Sequence, residues 1–187
     1  MIKRLFDILV SAFGLAVLAL PMLIIAVVIR LSSPGPALHW SQRVGRDNVI
    51  FEMPKFRTMR ADTPQMATHL MTEPGKWVTP IGRWLRRTSL DELPQLWSVL
   101  VGDMSVVGPR PALFNQDDLI EMRTKRGVHR LVPGLTGLAQ VSGRDDLPIP
   151  VKVEYDAEYC ARTSLLFDLK ILGRTVLKFM KAEGISH

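Results

Sequence analysis

The chain has 187 residues, 47% of them hydrophobic, and carries a net charge of +6 with an isoelectric point near 9.8. That length suits one domain with a real core, and the basic balance suits an anionic partner: nucleic acid, acidic lipid or a phosphorylated substrate. A single cysteine, Cys160, excludes an intrachain disulfide and fits a reducing, cytosol-facing domain; the scattered His39, His69, His129 and His187 match no zinc spacing, and no dinucleotide loop, Walker loop or repeat is present.

Lys3 and Arg4 precede a run from Ile8 to Ile29 that contains no charged residue. At roughly 1.5 Å per residue this run is about 33 Å long, enough to cross a bilayer core. It is too long for the apolar part of a signal peptide, and no small-x-small cleavage site follows. Arg30, Arg43 and Arg46 stand after it, so both flanks are basic and the charge rule picks no direction. Pro21 sits within the run, removes a backbone hydrogen bond and kinks a helix. Two arrangements follow: a helix that spans, or one that bends at Pro21 and returns to the same face.

Ser33-Pro34-Gly35-Pro36 turns the chain. Val49 to Met59 reads as extended, with Lys55 and Arg57 among aromatics. Arg60 to Lys76 is polar and reads as a helix fragment followed by a loop. Trp77 to Thr88 has amphipathic helical spacing, with Ile81, Trp84 and Leu85 apolar and Arg83, Arg86 and Arg87 polar. Trp77, Trp84 and Trp97 suit either a core or a membrane interface.

Arg86 to Pro111 holds the chemistry. Ser89 and Glu92 have capping-box spacing, which predicts a helix from Leu90 with Asp91 and Glu92 in its first turn and Pro94 bending it before it continues to Val101. Acids in a capped first turn are commonly only helix-starting chemistry. Asp91, however, is a carboxylate that the capping box does not need, and Arg86, Arg87 and Arg110 flank the pair. Such a cluster could hold phosphates beside a nucleophile or a metal. Met104 to Val107 is a short apolar piece for core or lipid. Arg110, between Pro109 and Pro111, is presented on a restricted backbone.

Ala112 to Arg126 reads as a helix, and Arg130 to Arg144 as a turn-rich loop whose Gly134, Gly137 and Gly143 allow close backbone approach or positive φ. Arg144 is either a surface arginine or a phosphate ligand. Val151 to Thr163 is a helix. Leu165 to Met180 is an amphipathic helix with Lys170, Arg174 and Lys178, suited to an anionic membrane surface or to packing on the domain.

Taken together, these motifs resemble the monotopic phosphoglycosyl transferases, the bacterial sugar transferase family that primes glycan assembly on polyprenyl phosphate. The resemblance runs nearly end to end: the apolar helix, S-P-G-P, K-F-R-T-M at Lys55 to Met59, S-L-D-E-L-P-Q-L at Ser89 to Leu96, G-D-M-S-V-V-G-P-R-P at Gly102 to Pro111, P-G-L-T-G at Pro133 to Gly137 and V-S-G-R at Val141 to Arg144. One departure stands out. Family members often carry Ser-Pro at the bend of the membrane helix; here the pair is Leu20-Pro21.

The resemblance implies a mainly α fold with short extended pieces, comprising a kinked re-entrant membrane helix and turn (1–36) and a cytosolic catalytic domain with interfacial helices (37–187). It implies transfer of a sugar 1-phosphate from a UDP-sugar to polyprenyl phosphate, through a phosphosugar on Asp91 and with Mg²⁺. Glu92 becomes a base or a second metal ligand beside Asp91, and Arg86, Arg110, Arg144, Lys55 and Arg57 become phosphate ligands. It places the chain on the cytosolic face of the bacterial inner membrane, in contact with lipid and without nucleic acid, and as the minimal catalytic form without further membrane segments. A homodimer is one arrangement the sequence allows. The competing expectation is a membrane-anchored basic protein that binds nucleic acid or acidic lipid without chemistry.

Overall fold

A computed structural model describes residues 2–63, 74–143 and 147–180. The first element, α1 (Ile2–Ser32), is one helix that continues through Pro21. It is long and apolar enough to cross a membrane, and most of it is not covered by protein. Leu9, Phe13, Leu20, Leu23 and Leu31 are all exposed.

Both ends of α1 are fastened to the rest of the chain. At its start Arg4 donates to the carbonyls of Val99 and Leu100, both at 2.6 Å, and Lys3 pairs with Asp168 at 2.6 Å. Asp7, buried, accepts from the Val106 amide at 3.0 Å and the Ser105 hydroxyl at 3.1 Å. At its far end Ile29 is buried with Phe56 and Leu85. The turn after it is held by Arg57, whose guanidinium donates to the Ser33 carbonyl and hydroxyl, both at 2.8 Å, and to the Pro34 carbonyl. Gly35 sits there with φ 112° and packs on Arg57, where an L side chain would be strained and would clash.

Next comes an antiparallel hairpin of β1 (Leu38–Val44) and β2 (Ile50–Phe56), with His39 opposite Lys55 and Arg43 opposite Phe51. The extended reading of Val49 to Met59 therefore holds over β2. Two helices follow, α2 (Pro74–Trp77) and α3 (Pro80–Thr88). Thr79 caps α3, accepting from the Gly82 amide at 3.0 Å, and Leu85 is its fully buried residue while Trp84 is exposed. Most of the polar loop expected between Arg60 and Lys76 lies outside the described residues.

The expected capping box does not form. Ser89 has φ 56° and closes α3 in the left-handed conformation, so its hydroxyl makes no cap. Leu90–Glu92 is a single 3₁₀ turn, and the α-helix, α4 (Gln95–Val101), begins only after Pro94. Proline fits that position because the first amides of a helix have no intrahelical partner.

Met104 to Val107 goes into the core, not into lipid: β3 (Ser105–Val107) is wholly buried. It pairs in parallel with β4 (Gly134–Thr136), inside the stretch expected to be only a loop. Gly134 packs its Cα face directly on the Gly108 backbone, so any side chain there would collide with main chain. The remaining helices are α5 (Asp117–Lys125), α6 (Leu138–Gly143), α7 (Ile149–Arg162) and α8 (Leu165–Met180). Met53, Val99, Met104, Val107, Leu138, Tyr159 and Ile171 form the main core between hairpin, α4, β3, α6, α7 and α8.

Candidate active site

The acidic pair lies on the 3₁₀ turn between α3 and α4, backed by β2. Helical geometry over so short a turn sends adjacent side chains in different directions. Asp91 is buried, whereas Glu92 meets Arg110 as a fork, with Nη2 to Oε1 at 2.6 Å and Nη1 to Oε2 at 3.4 Å. Bidentate guanidinium pairing of this kind is directional as well as strong. Arg86, in the last turn of α3, donates to the Thr58 hydroxyl at 2.9 Å and lies close enough to Asp91 to act on its charge.

Lys55 comes from β2. Its ammonium is buried among Glu92, Arg43, Arg110 and Asp91, and burial, aided by the two arginines, pushes it down to about 8. The two acids are driven apart. Burial and the neighbouring Glu92 charge raise Asp91 above its own ordinary value, with Lys55 and Arg86 opposing. Burial also acts to raise Glu92, but Arg110, Lys55 and Arg43 outweigh it and hold the carboxyl down to about 2. Glu92 is thus a fixed anion, and Asp91 is the more basic and less committed of the pair. Divergent acidities in adjacent carboxyls are the signature of a division of labour.

The loop bearing Arg110 is braced from two sides. Arg43 on β1 donates to the Pro111 carbonyl at 3.2 Å, and Val44 donates to the Ala112 carbonyl at 3.0 Å. From the other side Arg123 on α5 donates to the Arg110 carbonyl at 2.8 Å and pairs with buried Asp156 on α7 at 2.6 Å.

Of the residues singled out in the sequence, Asp91, Glu92, Lys55, Arg86 and Arg110 are brought together. No contact among the described residues brings Arg57 to them; its hydrogen bonds go to the Ser33–Pro34 turn. Arg144 lies outside the described residues. Pro21 lies inside a continuous helix. Arg43 is the residue the sequence did not reveal as part of the site. In the sequence it is only a charge flanking the apolar run, and it reaches the cluster because hairpin pairing sets β1 beside β2.

A carboxylate pair of split acidity, ringed by Arg43, Lys55, Arg86 and Arg110, defines a centre suited to anionic, phosphate-bearing substrates. The chain belongs to the bacterial sugar transferases: the model of that family matches residues 1–182. It is 38% identical over 187 residues to a UDP-glucose:undecaprenyl-phosphate glucose-1-phosphate transferase of Escherichia coli (strain K12), covering 95% of this chain and 40% of that protein. An enzyme of the same description from Caulobacter vibrioides is 42% identical over 191 residues, covering 97% of this chain and 71% of that one. The sugar transferase EpsL of Bacillus subtilis (strain 168) is 38% identical over 186 residues, covering all of this chain and 91% of that protein. The chain spans about two fifths of the length of the E. coli relative. Nothing in these likenesses supports a non-catalytic basic anchor.

Proposed function

We propose that the protein is a phosphoglycosyl transferase that moves a sugar 1-phosphate from a UDP-sugar to polyprenyl phosphate and releases UMP. The observation that carries this is the buried, less acidic Asp91 beside a Glu92 clamped by Arg110. The relatives' names, which pair UDP-glucose with undecaprenyl phosphate, agree with it.

In the first step a carboxylate oxygen of Asp91 attacks the β-phosphorus of the donor. The bond from that phosphorus to the oxygen bridging the two phosphates breaks, and UMP leaves with the electron pair. The sugar phosphate stays on Asp91 as an acyl phosphate. In the second step an oxygen of polyprenyl phosphate attacks the same phosphorus, and the Asp91 carboxylate departs. An acyl phosphate conserves the energy of the donor bond, so both steps run without an outside energy source.

A carboxylate attacks phosphorus only where mutual repulsion is screened. Lys55, Arg86 and Arg110 supply positive charge around the pair, and Arg144 is proposed to join them on the donor phosphates. Arg57 shapes the approach by holding the turn below α1. Among the described residues no set of three or more His, Cys, Asp or Glu is gathered for a metal. Two hard carboxylates nevertheless suit Mg²⁺, which characteristically takes one or two carboxylates and completes its shell with substrate phosphate and water. Bound at Asp91 and Glu92, the ion would neutralise the diphosphate and stabilise charge on the leaving oxygen.

The membrane arrangement follows from α1. Its first turn is tied to Val99, Leu100 and Asp168, and its last is packed on Phe56 and Leu85. A helix standing across the bilayer would carry one end away from the domain. Fastening both ends to it favours the re-entrant arrangement, with residues 1–36 in the cytosolic leaflet and the rest on the cytosolic face of the inner membrane. Cysteines placed at Lys3 and Arg46 are then both labelled by an impermeant reagent from the cytosol; labelling from opposite sides excludes re-entry.

The test of activity is UMP release from a panel of UDP-sugars by the full chain. Release sustained only when polyprenyl phosphate is added is the expected result, and release from no member of the panel removes the reading. The pH profile is a second expected result. Lys55 is charged below about 8 and loses its screening charge above it. The basic limb of kcat/KM, which reports the free enzyme, therefore falls near pH 8. Lys55→Arg moves that limb upward, because guanidinium keeps its charge.

A further inference from the structure

A second cationic centre lies away from the acidic pair, in a cleft between α6, α7 and α8. Ser142, Tyr155, Arg162, Phe167, Lys170 and Arg174 line it. Glu158, also on its wall, is taken up by Arg162, which stacks over the Phe167 ring at 4.4 Å. Among the described residues Lys170 and Arg174 have no ion-pair or hydrogen-bond partner. The cleft thus presents uncompensated positive charge next to two side-chain hydroxyls, which are the groups that receive a phosphate monoanion or diester.

The position of these cations on α8 says where such a phosphate would come from. At about 100° per residue, Leu166, Leu169, Val176, Leu177 and Met180 form one stripe, and all five are exposed. Asp168 and Ile171 form the opposite, fully buried face. Lys170, Arg174 and Lys178 run along the boundary between stripe and core face. This is the layout of a helix lying in an interface, with its apolar stripe among acyl chains and its cations at head-group height. The start of α8 is also tied to the foot of α1 through Lys3 and Asp168.

We propose that the α6–α7–α8 cleft binds the head-group phosphate of an anionic bilayer phospholipid, held by Lys170, Arg174 and Arg162, with its chains along the α8 stripe. The site rests on the placement of the chain at a bilayer and not on chemistry at Asp91. It orients the domain on the membrane from a point separate from α1.

The test titrates the detergent-solubilised full chain with dioleoyl phosphatidylglycerol or dioleoyl phosphatidylcholine and counts bound lipid by native mass spectrometry. The protein is expected to prefer phosphatidylglycerol. Each surface cation contributes roughly fivefold, so Lys170→Ala with Arg174→Ala lowers that preference about 25-fold. Lys170→Arg with Arg174→Lys keeps it. Both cations are exposed, so the alanine pair leaves the fold intact, which a thermal unfolding curve checks. Asp91→Asn binds phosphatidylglycerol as the native chain does, which separates this site from the catalytic reading. Undiminished preference in the alanine pair overturns the proposal. So does displacement of the lipid by millimolar inorganic phosphate, which marks a soluble-phosphate site, or by an equimolar amount of polyprenyl phosphate, which marks the acceptor's own site.

Discussion

Asp91→Asn abolishes UMP release, by at least about 10⁴-fold, while leaving the protein folded. The substitution keeps the size of the side chain and removes its nucleophilic charge. It also relieves two unfavourable conditions, burial of a carboxylate and its repulsion from Glu92. Thermal unfolding in detergent should therefore be unchanged or shifted slightly upward. Loss of activity with retained stability is the pattern expected of a reacting group. A structural carboxylate would show the reverse. Incubating the native chain with donor alone should yield a phosphosugar adduct on Asp91, detected by mass and absent from the Asn variant. Turnover by Asp91→Asn at the native rate removes the nucleophile assignment.

Arg110→Ala gives the second large effect, and it differs in kind. Glu92 loses its guanidinium fork, and the developing charge on the leaving phosphate loses a donor, so kcat falls about 10²–10³-fold. Stability falls as well, by about 1–3 kcal/mol, a figure kept low because the pair is partly open to solvent. The pH dependence of stability changes too. The folded Glu92 carboxyl sits near 2, below its ordinary value of 4.5, so its contribution is present above pH 4.5 and is lost as pH falls toward 2. Without Arg110 the folded value rises, and the difference in unfolding temperature between native and variant narrows as the solution is acidified. Arg110→Lys restores charge but not the fork, and recovers only part of kcat.

What the sequence discloses and what it hides follow physical lines. Elements defined by their own periodicity were readable. The α8 helix begins at the residue its apolar spacing suggests and runs to the last described residue, and β2 lies within the extended run. Elements defined by a neighbour were not. Gly134 to Thr136 has the composition of a turn, yet its glycine is needed because another backbone, that of Gly108, occupies the place of a side chain. The Ser89–Glu92 spacing suggested a cap, but Ser89 is consumed in ending α3 and Glu92 in holding Arg110. The acidic pair and its arginines were legible because they crowd one segment. Arg43 was not, because only the pairing of β1 with β2 delivers it.

The brace of Arg123 on the Arg110 carbonyl has a consequence for how damage spreads. Its other hand grips the buried Asp156 on α7. Weakening that grip leaves every reacting atom in place yet lets the loop swing, so a lesion in α7 would masquerade as one in the catalytic arginine. Leverage, not proximity, decides which distant positions this centre can tolerate losing.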